Sequence, residues 1–366
     1  MDKVKKLRED HIQWHFYDRA EEAWLSMKEA CINARRTIDI EQYILDEEEI
    51  GGELLSLLIQ KKEEGVHIRI LCDMVGSYSF FSSNIPKTLR GYGIEVRFFN
   101  PIRPWRIGSR LSWYFRDHRK LMMVDGRVGF VGSVGFREDM RYWREAHVRV
   151  TGSITKEMSF AFEEMWETAG AGNFFRRLEK TRKFFRGFHF LTNSPFVGRR
   201  YIYEALIYAI RNAKKSISIT TPYFIPDHRL NRALRLARRR NVSVRILIPH
   251  TSDVPLVDRA SRWFFHRLLQ KGVKIFLYKE SILHAKTIAV DGNWASLGSF
   301  NLDSLSFSYN YEANLVSIDK GFVAKIESLF EEDLKQSEEV TLREWQARPW
   351  TNKVKEWLAS RLRFIL

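Results

Sequence analysis

Two stretches decide the fold: DHRKLMMVDGRVGFVGSVGF at residues 117–136 and LHAKTIAVDGNWASLGSFNLDS at residues 283–304. Each reads H-x-K-x-x-x-x-D, with Gly-Ser at fourteen and fifteen positions beyond the histidine. The first holds His118, Lys120, Asp125, Gly132 and Ser133; the second holds His284, Lys286, Asp291, Gly298 and Ser299. A single H-x-K-x-x-x-x-D arises by chance at about one start position in ten thousand, so one copy means little. Two copies at one spacing mark a duplicated unit.

Working outward, further matched runs surround each copy. TIDIEQY (Thr37 to Tyr43) and SISITTPY (Ser216 to Tyr223) are β-branched and alternate as strands do. VHIRILCD from Val66 and VSVRILIP from Val242 are continuous apolar runs that suit strands buried on both faces. GIEVRFFN from Gly93 and GVKIFLYK from Gly272 follow helical patterns. Strand, helix, strand, helix, strand predicts an α/β fold with a mixed sheet in each half. The predicted organisation is a first half at 1–170, a basic aromatic linker at 171–197, a second half at 198–337, and an amphipathic basic tail at 338–366. The first half also carries an extra loop, PIRPWRIGSRLSW from Pro101 to Trp113.

Composition bounds the partners. The 366 residues are 45% hydrophobic and 14% aromatic, ample for a globular core, and the net charge of +15 calls for an anionic partner. Nucleic acid and an acidic phospholipid surface are the two candidates. Only Cys31 and Cys72 are present, which fits a reducing compartment. The opening residues MDKVKKLREDHIQWHFYDRAEEAW have no signal-peptide core, and no run approaches 18 apolar residues, so any membrane contact is expected to be peripheral.

The doubled residues suit phosphodiester chemistry. On a strand of period two, His118 and Lys120 share a face, as do His284 and Lys286, so bringing the strands together surrounds one phosphate with two imidazoles and two ammonium groups. One histidine can attack phosphorus while the other protonates the leaving oxygen. The lysines would neutralise the phosphoryl oxygens, the task metals perform elsewhere, so neither metal nor cofactor is expected. Asp125 and Asp291 are expected to form hairpin turns and to anchor the lysines. Gly132, Ser133, Gly298 and Ser299 are either tight-turn residues or phosphate contacts.

These residues resemble the phospholipase D superfamily, with its duplicated HKD motif, and within it the bacterial cardiolipin synthases. FNPIRPWRIGSR, TPYFIPD, SFNLDSLSFSYNYEANLV and LREWQARPW extend the likeness over nearly the whole chain. The resemblance implies two pseudo-twofold-related halves with one active site at their interface, His118 as nucleophile and His284 as general acid. It further implies a downstream carboxylate orienting each histidine, a place filled by Glu312, 28 residues after His284, and by Glu145, 27 after His118. Ser133, Ser299 and Asn301 stand where the substrate phosphate would be bound. The chain departs from the family pattern at Gly135, where Asn is common, and is expected to do without the N-terminal membrane helices of the longer cardiolipin synthases.

Three aromatic, basic segments bear on the substrate: the loop with Trp105 and Trp113, the linker FFRRLEKTRKFFRGF, and the tail, where Val354, Trp357, Leu358, Leu362 and Ile365 recur at helical spacing. Trp105, Trp113 and Trp357 are therefore expected to touch a membrane. Together with these segments, the resemblance implies a phosphatidyltransferase, a cardiolipin synthase using phosphatidylglycerol as donor and acceptor, expected to be peripheral on the cytoplasmic side of a bacterial membrane. The alternatives are a phospholipase D releasing phosphatidic acid, a nuclease stacking a single strand on the same aromatics, and a membrane scaffold without activity. Oligomeric state is left open by the sequence.

Overall fold

The computed structural model describes residues 12–101, 114–171, 187–195 and 198–362. In the first half the runs above become β1 (Gln13–Arg19), β2 (Thr37–Gln42), β3 (His67–Asp73), β4 (Glu95–Phe99), β5 (Arg116–Asp117), β6 (Lys120–Val124), β7 (Val128–Gly132) and β8 (Arg144–Thr151). In the second they become β9 (Phe188–Ser194), β10 (Arg199–Arg200), β11 (Ser216–Thr220), β12 (Ser243–Pro249), β13 (Lys274–Tyr278), β14 (Thr287–Val290), β15 (Trp294–Gly298), β16 (Asn310–Ser317) and β17 (Ser337–Glu339). The first sheet runs β1-β8-β7-β6-β2-β3-β4, and the second contains β9-β16-β15-β14-β11-β12-β13 in the equivalent order. Within each of these strand orders, parallel pairing is confined to the strands joined by helices, β2-β3-β4 and β11-β12-β13, while β5 pairs in parallel with β16 off the main path of the second sheet. The mixed sheets and the duplication are those expected from the sequence.

Two boundaries move. β9 pairs antiparallel with β16, so the second sheet begins at Phe188, inside the stretch expected to be linker. β17 pairs with β13, so the start of the tail closes that sheet's edge. The loop carrying Trp105 and Trp113, most of the linker, and Ile365 lie outside the described residues.

Three apolar layers hold the halves together. One lies between the first sheet and helices Ala20–Ile32 and Glu49–Glu63, with Trp24, Leu54 and Leu58 buried. Another lies between the second sheet and helices Tyr201–Asn212 and His228–Arg239, with Leu206 and Leu234 buried. The middle layer draws on both sheets, joining Leu121, Val131 and Val148 to Ala289, Leu297 and Leu315. Strand alternation explains the arrangement: along β6, Leu121 and Met123 face the middle layer while Met122 and Val124 face the outer one. Among the described residues, no helix is long and apolar enough to cross a membrane.

Candidate active site

The chain crosses between the halves just before each histidine. β5, immediately ahead of His118, pairs in parallel with β16 of the second half, and the His118 amide donates to the Tyr311 carbonyl at 3.0 Å. In mirror fashion Leu283 bridges to Arg144 of the first half, and the His284 amide donates to the Arg144 carbonyl at 2.8 Å. Each histidine is thus laid against the strand of the other half, one residue from that strand's buried glutamate.

The carboxylate pairing is consequently crossed. His118 Nδ1 lies 3.1 Å from both carboxylate oxygens of Glu312, and His284 Nδ1 lies 2.8 Å from Glu145 Oε1. The expectation that each glutamate serves the histidine upstream of it in the same half is corrected: each lies against the histidine of the other half. With Nδ1–H given to a carboxylate, each imidazole keeps its lone pair on Nε2.

The serines also have a different task from the phosphate contact expected of them. Ser133 Oγ donates to Glu145 Oε2 and Ser299 Oγ to Glu312 Oε2, and both hydroxyls are fully buried. Their amides are spent on the Ala146 and Ala313 carbonyls. The preceding glycines are required by strand packing, since a Cβ on Gly132 would run into the Ala146 carbonyl and one on Gly298 into the Ala313 carbonyl. Asn301 remains available to a ligand, its side-chain oxygen being buried without a hydrogen-bond partner among the described residues. At the corresponding Gly135, a Cβ would stand 3.3 Å from that of Ile44 and 3.4 Å from Met140 Sδ, and the first half carries no equivalent amide at this position.

Asp125 and Asp291 close the β6–β7 and β14–β15 hairpins with φ of 53° and 57°, each followed by a glycine with positive φ, as expected of Asp-Gly turns. They do not anchor the lysines. The Asp125 carboxylate accepts from the amides of Arg35, Arg36 and Thr37, and that of Asp291 from Lys214, Lys215 and Ser216, so each ties its hairpin to the start of the neighbouring strand. Lys120 Nζ instead donates to the His118 carbonyl at 3.0 Å and Lys286 Nζ to the His284 carbonyl at 2.6 Å. These bonds curl each ammonium back beside its own histidine.

Aromatic rings frame the histidines, and sequence reasoning passed over them. The Tyr43 ring stands 4.9 Å from that of His118, with Lys120 Nζ 5.3 Å from its centre. Trp143 and Tyr223 stand 5.4 and 6.4 Å from His284. A signal existed for the tyrosines, because both close the matched runs TIDIEQY and SISITTPY. Trp143 had no counterpart to give it away.

Electrostatics set the resting state. Burial, opposed by Glu312 and aided by Lys120 and Lys286, pushes His118 down to about 4. His284 is lowered for the same first reason, with Glu145 opposing. Burial brings Lys120 down to about 8 and Lys286 to about 7. Burial would raise Glu145 and Glu312, but the adjacent histidines and the serine donors outweigh it and hold both below the usual carboxylate range. Without substrate the site therefore holds neutral imidazoles, ionised glutamates and lysines poised to lose a proton. An arriving phosphodiester anion stabilises the charged forms of lysine and imidazole alike.

Two equivalent sheets that share one buried pair of histidines, each with a lysine two positions on, define the phospholipase D class. The family model described as cardiolipin synthase, PLD-like domain, matches residues 27–166 and 206–334. The cardiolipin synthase of Halalkalibacterium halodurans is 34% identical over 348 residues, covering 92% of this chain and 68% of that one. That of Listeria monocytogenes serotype 4a is 33% identical over 349 residues, covering 91% and 71%. The chain belongs to the cardiolipin synthase family of phospholipase D-like proteins. Among solved structures, the phosphatidylserine synthase of Haemophilus influenzae shares the fold with a TM-score of 0.74 at 12% identity, over 100% of this chain and 99% of that one.

Proposed function

We propose that this protein is a phosphatidyltransferase that makes cardiolipin from two molecules of phosphatidylglycerol. The crossed His118–Glu312 and His284–Glu145 pairs carry the reading, because they supply two imidazoles with fixed tautomers in one buried site beside two lysines. His118 Nε2 attacks the donor phosphorus and the P–O bond to the headgroup glycerol breaks. His284, protonated in the complex, gives its proton to the departing alkoxide. The resulting phosphatidyl-His118 is attacked by the hydroxyl of a second phosphatidylglycerol, whose proton returns to His284, and cardiolipin leaves with His118 restored. Lys120 and Lys286 balance the charge on the phosphoryl oxygens as it grows in each displacement. Asn301 offers a further polar contact to the lipid.

The site of action we propose is the cytoplasmic surface of the bacterial membrane, supported by the net charge of +15. Incubating the purified protein with phosphatidylglycerol vesicles and resolving the lipids tests the reading, with single-stranded DNA as a parallel substrate. Cardiolipin and glycerol are expected. Phosphatidic acid alone would mean that water is the acceptor, and cleaved DNA beside inert lipid would overturn the lipid assignment.

A further inference from the structure

The helix Trp350–Arg361 near the end of the chain is packed inside out. It lies on helix Pro255–Arg262, and the face it buries holds Glu356, Ala359 and Ser360. Arg348 clamps the buried Glu356 carboxylate with two bonds of 3.1 and 2.6 Å. On the opposite side of the helix Trp350, Val354, Trp357, Leu358 and Leu362 are exposed, Trp350 to 73%. A scattered apolar side chain on a surface needs no explanation, but a contiguous stripe on a helix that hides its glutamate marks a surface with a partner.

The charges around the stripe say which partner. Lys353 and Lys355 flank it on either side, and Arg361 lies over the Trp357 ring at 4.8 Å. At the helix's foot a cavity of about 300 Å³ is lined by Trp263, His266, Arg267, Gln346, Arg348 and Lys353, with no carboxylate among the described residues. Arg348 is held by Glu356, which leaves His266, Arg267 and Lys353 to face an anion. Aromatic rings beside cations, with apolar side chains on the same face, suit the headgroup depth of an acidic bilayer. The helix beneath also leads toward the active site: Asp253, just ahead of helix Pro255–Arg262, accepts from the Tyr223 hydroxyl at 2.7 Å, and Val254 and Leu256 at the start of that helix are exposed.

We propose that helix Trp350–Arg361 lies flat on an anionic bilayer, and that the cavity beside it takes the phosphate headgroup of a lipid that is bound but not turned over. The proposal rests on the lipid reading of the active site and adds to it a second, non-catalytic lipid contact that sets how the site meets the membrane.

Flotation of the full chain with phosphatidylcholine vesicles, and with the same vesicles containing phosphatidylglycerol, tests it. The unmodified protein is expected to float with the anionic vesicles and to be released by high salt. Trp350→Ser with Trp357→Ser, and separately Arg267→Glu with Lys353→Glu, are expected to weaken that binding at least tenfold. Turnover of dispersed short-chain phosphatidylglycerol should stay within twofold. An environment-sensitive dye on Leu358→Cys should shift to the blue on anionic vesicles; Cys31 and Cys72 are buried and will not compete for it. Unchanged flotation of both double variants, an unshifted dye, or binding of single-stranded DNA in place of vesicles would overturn the proposal. Cardiolipin formation with unchanged flotation sinks this inference alone, whereas weakened flotation of the variants without lipid turnover by the parent sinks the transferase reading and leaves this one standing.

Discussion

His118 of the first half takes its carboxylate partner, Glu312, from the second, 194 positions along the chain. His284 repays the arrangement through Glu145, 139 positions back. Neither of these two pairs is complete within one half.

Removing the Glu312 charge is therefore expected to disable the first-half histidine. Glu312→Gln should lower the rate of cardiolipin formation by about 10²–10⁴-fold, the range of a lost acid–base contribution, with KM little changed. Alkaline quenching with labelled phosphatidylglycerol should trap lipid on the protein in His284→Ala and none in His118→Ala. Trapping in the reverse pattern would exchange the two roles.

The two carboxylates are not equally occupied. Glu312 also accepts from Ser306 Oγ at 2.7 Å, whereas Glu145 has no such second hydroxyl among the described residues. A donor draws charge from the carboxylate and weakens its hold on a histidine proton. Ser306→Ala should thus raise the His118 pKa and move the acid limb of the kcat/KM profile upward by about one unit. Ser133→Ala, acting on His284, should leave that limb in place.

Lys120 and Lys286 lose their protons near 8 and 7 in the free protein, so their ammonium charges are present below pH 7 and fade as pH rises through 8. Substrate binding above pH 8 must restore them. KM is expected to climb over this range while kcat changes less, and calorimetry at pH 8 in buffers of different ionisation enthalpy should show proton uptake. Binding without proton uptake would contradict this assignment.

The residue between His118 and Lys120 is Arg119, fully buried and 3.6 Å from the equally buried Glu41. Burial and the neighbouring Asp117 raise the Glu41 pKa, and Arg119 opposes that rise. Arg119→Met should cost about 3–5 kcal/mol in urea unfolding, as for a broken buried pair, and adding Glu41→Gln should recover much of it.

Charge stabilisation by lysine carries a plain consequence for inhibitors. Activity is expected to survive prior treatment with a chelator and to fall in Lys120→Met and Lys286→Met. Loss of turnover on chelation, restored by a divalent cation, would show that the lysines are insufficient.

What the sequence made legible was whatever depends on local pattern. The apolar periods placed β3 and β12, the Val-Asp-Gly runs placed both hairpins, and the repeated spacing placed the histidines and lysines at equivalent points, although the histidines stand just ahead of β6 and β14 and not on a strand as the period-two reading had them. What it hid depends on how the sheets pack. Glu145 and Glu312 could be named from their spacing, but their exchange between halves follows from β5 crossing to β16, which no local period records. Ser133 and Ser299 read as phosphate ligands because a Gly-Ser pair looks exposed, whereas the close approach of neighbouring strands buries them. The apolar stripe of the last helix was visible as a stripe, but not that it points away from the core.

The middle layer formed by both sheets has one more consequence. Two identical subunits around a true twofold would carry identical histidines, and a double displacement needs an attacking base and a proton donor. A tandem duplication joined in one chain can drift on one side alone. Ser306 and Asn301 stand on one side of this centre while Gly135 stands on the other, so the inherited symmetry has already parted into two chemical personalities.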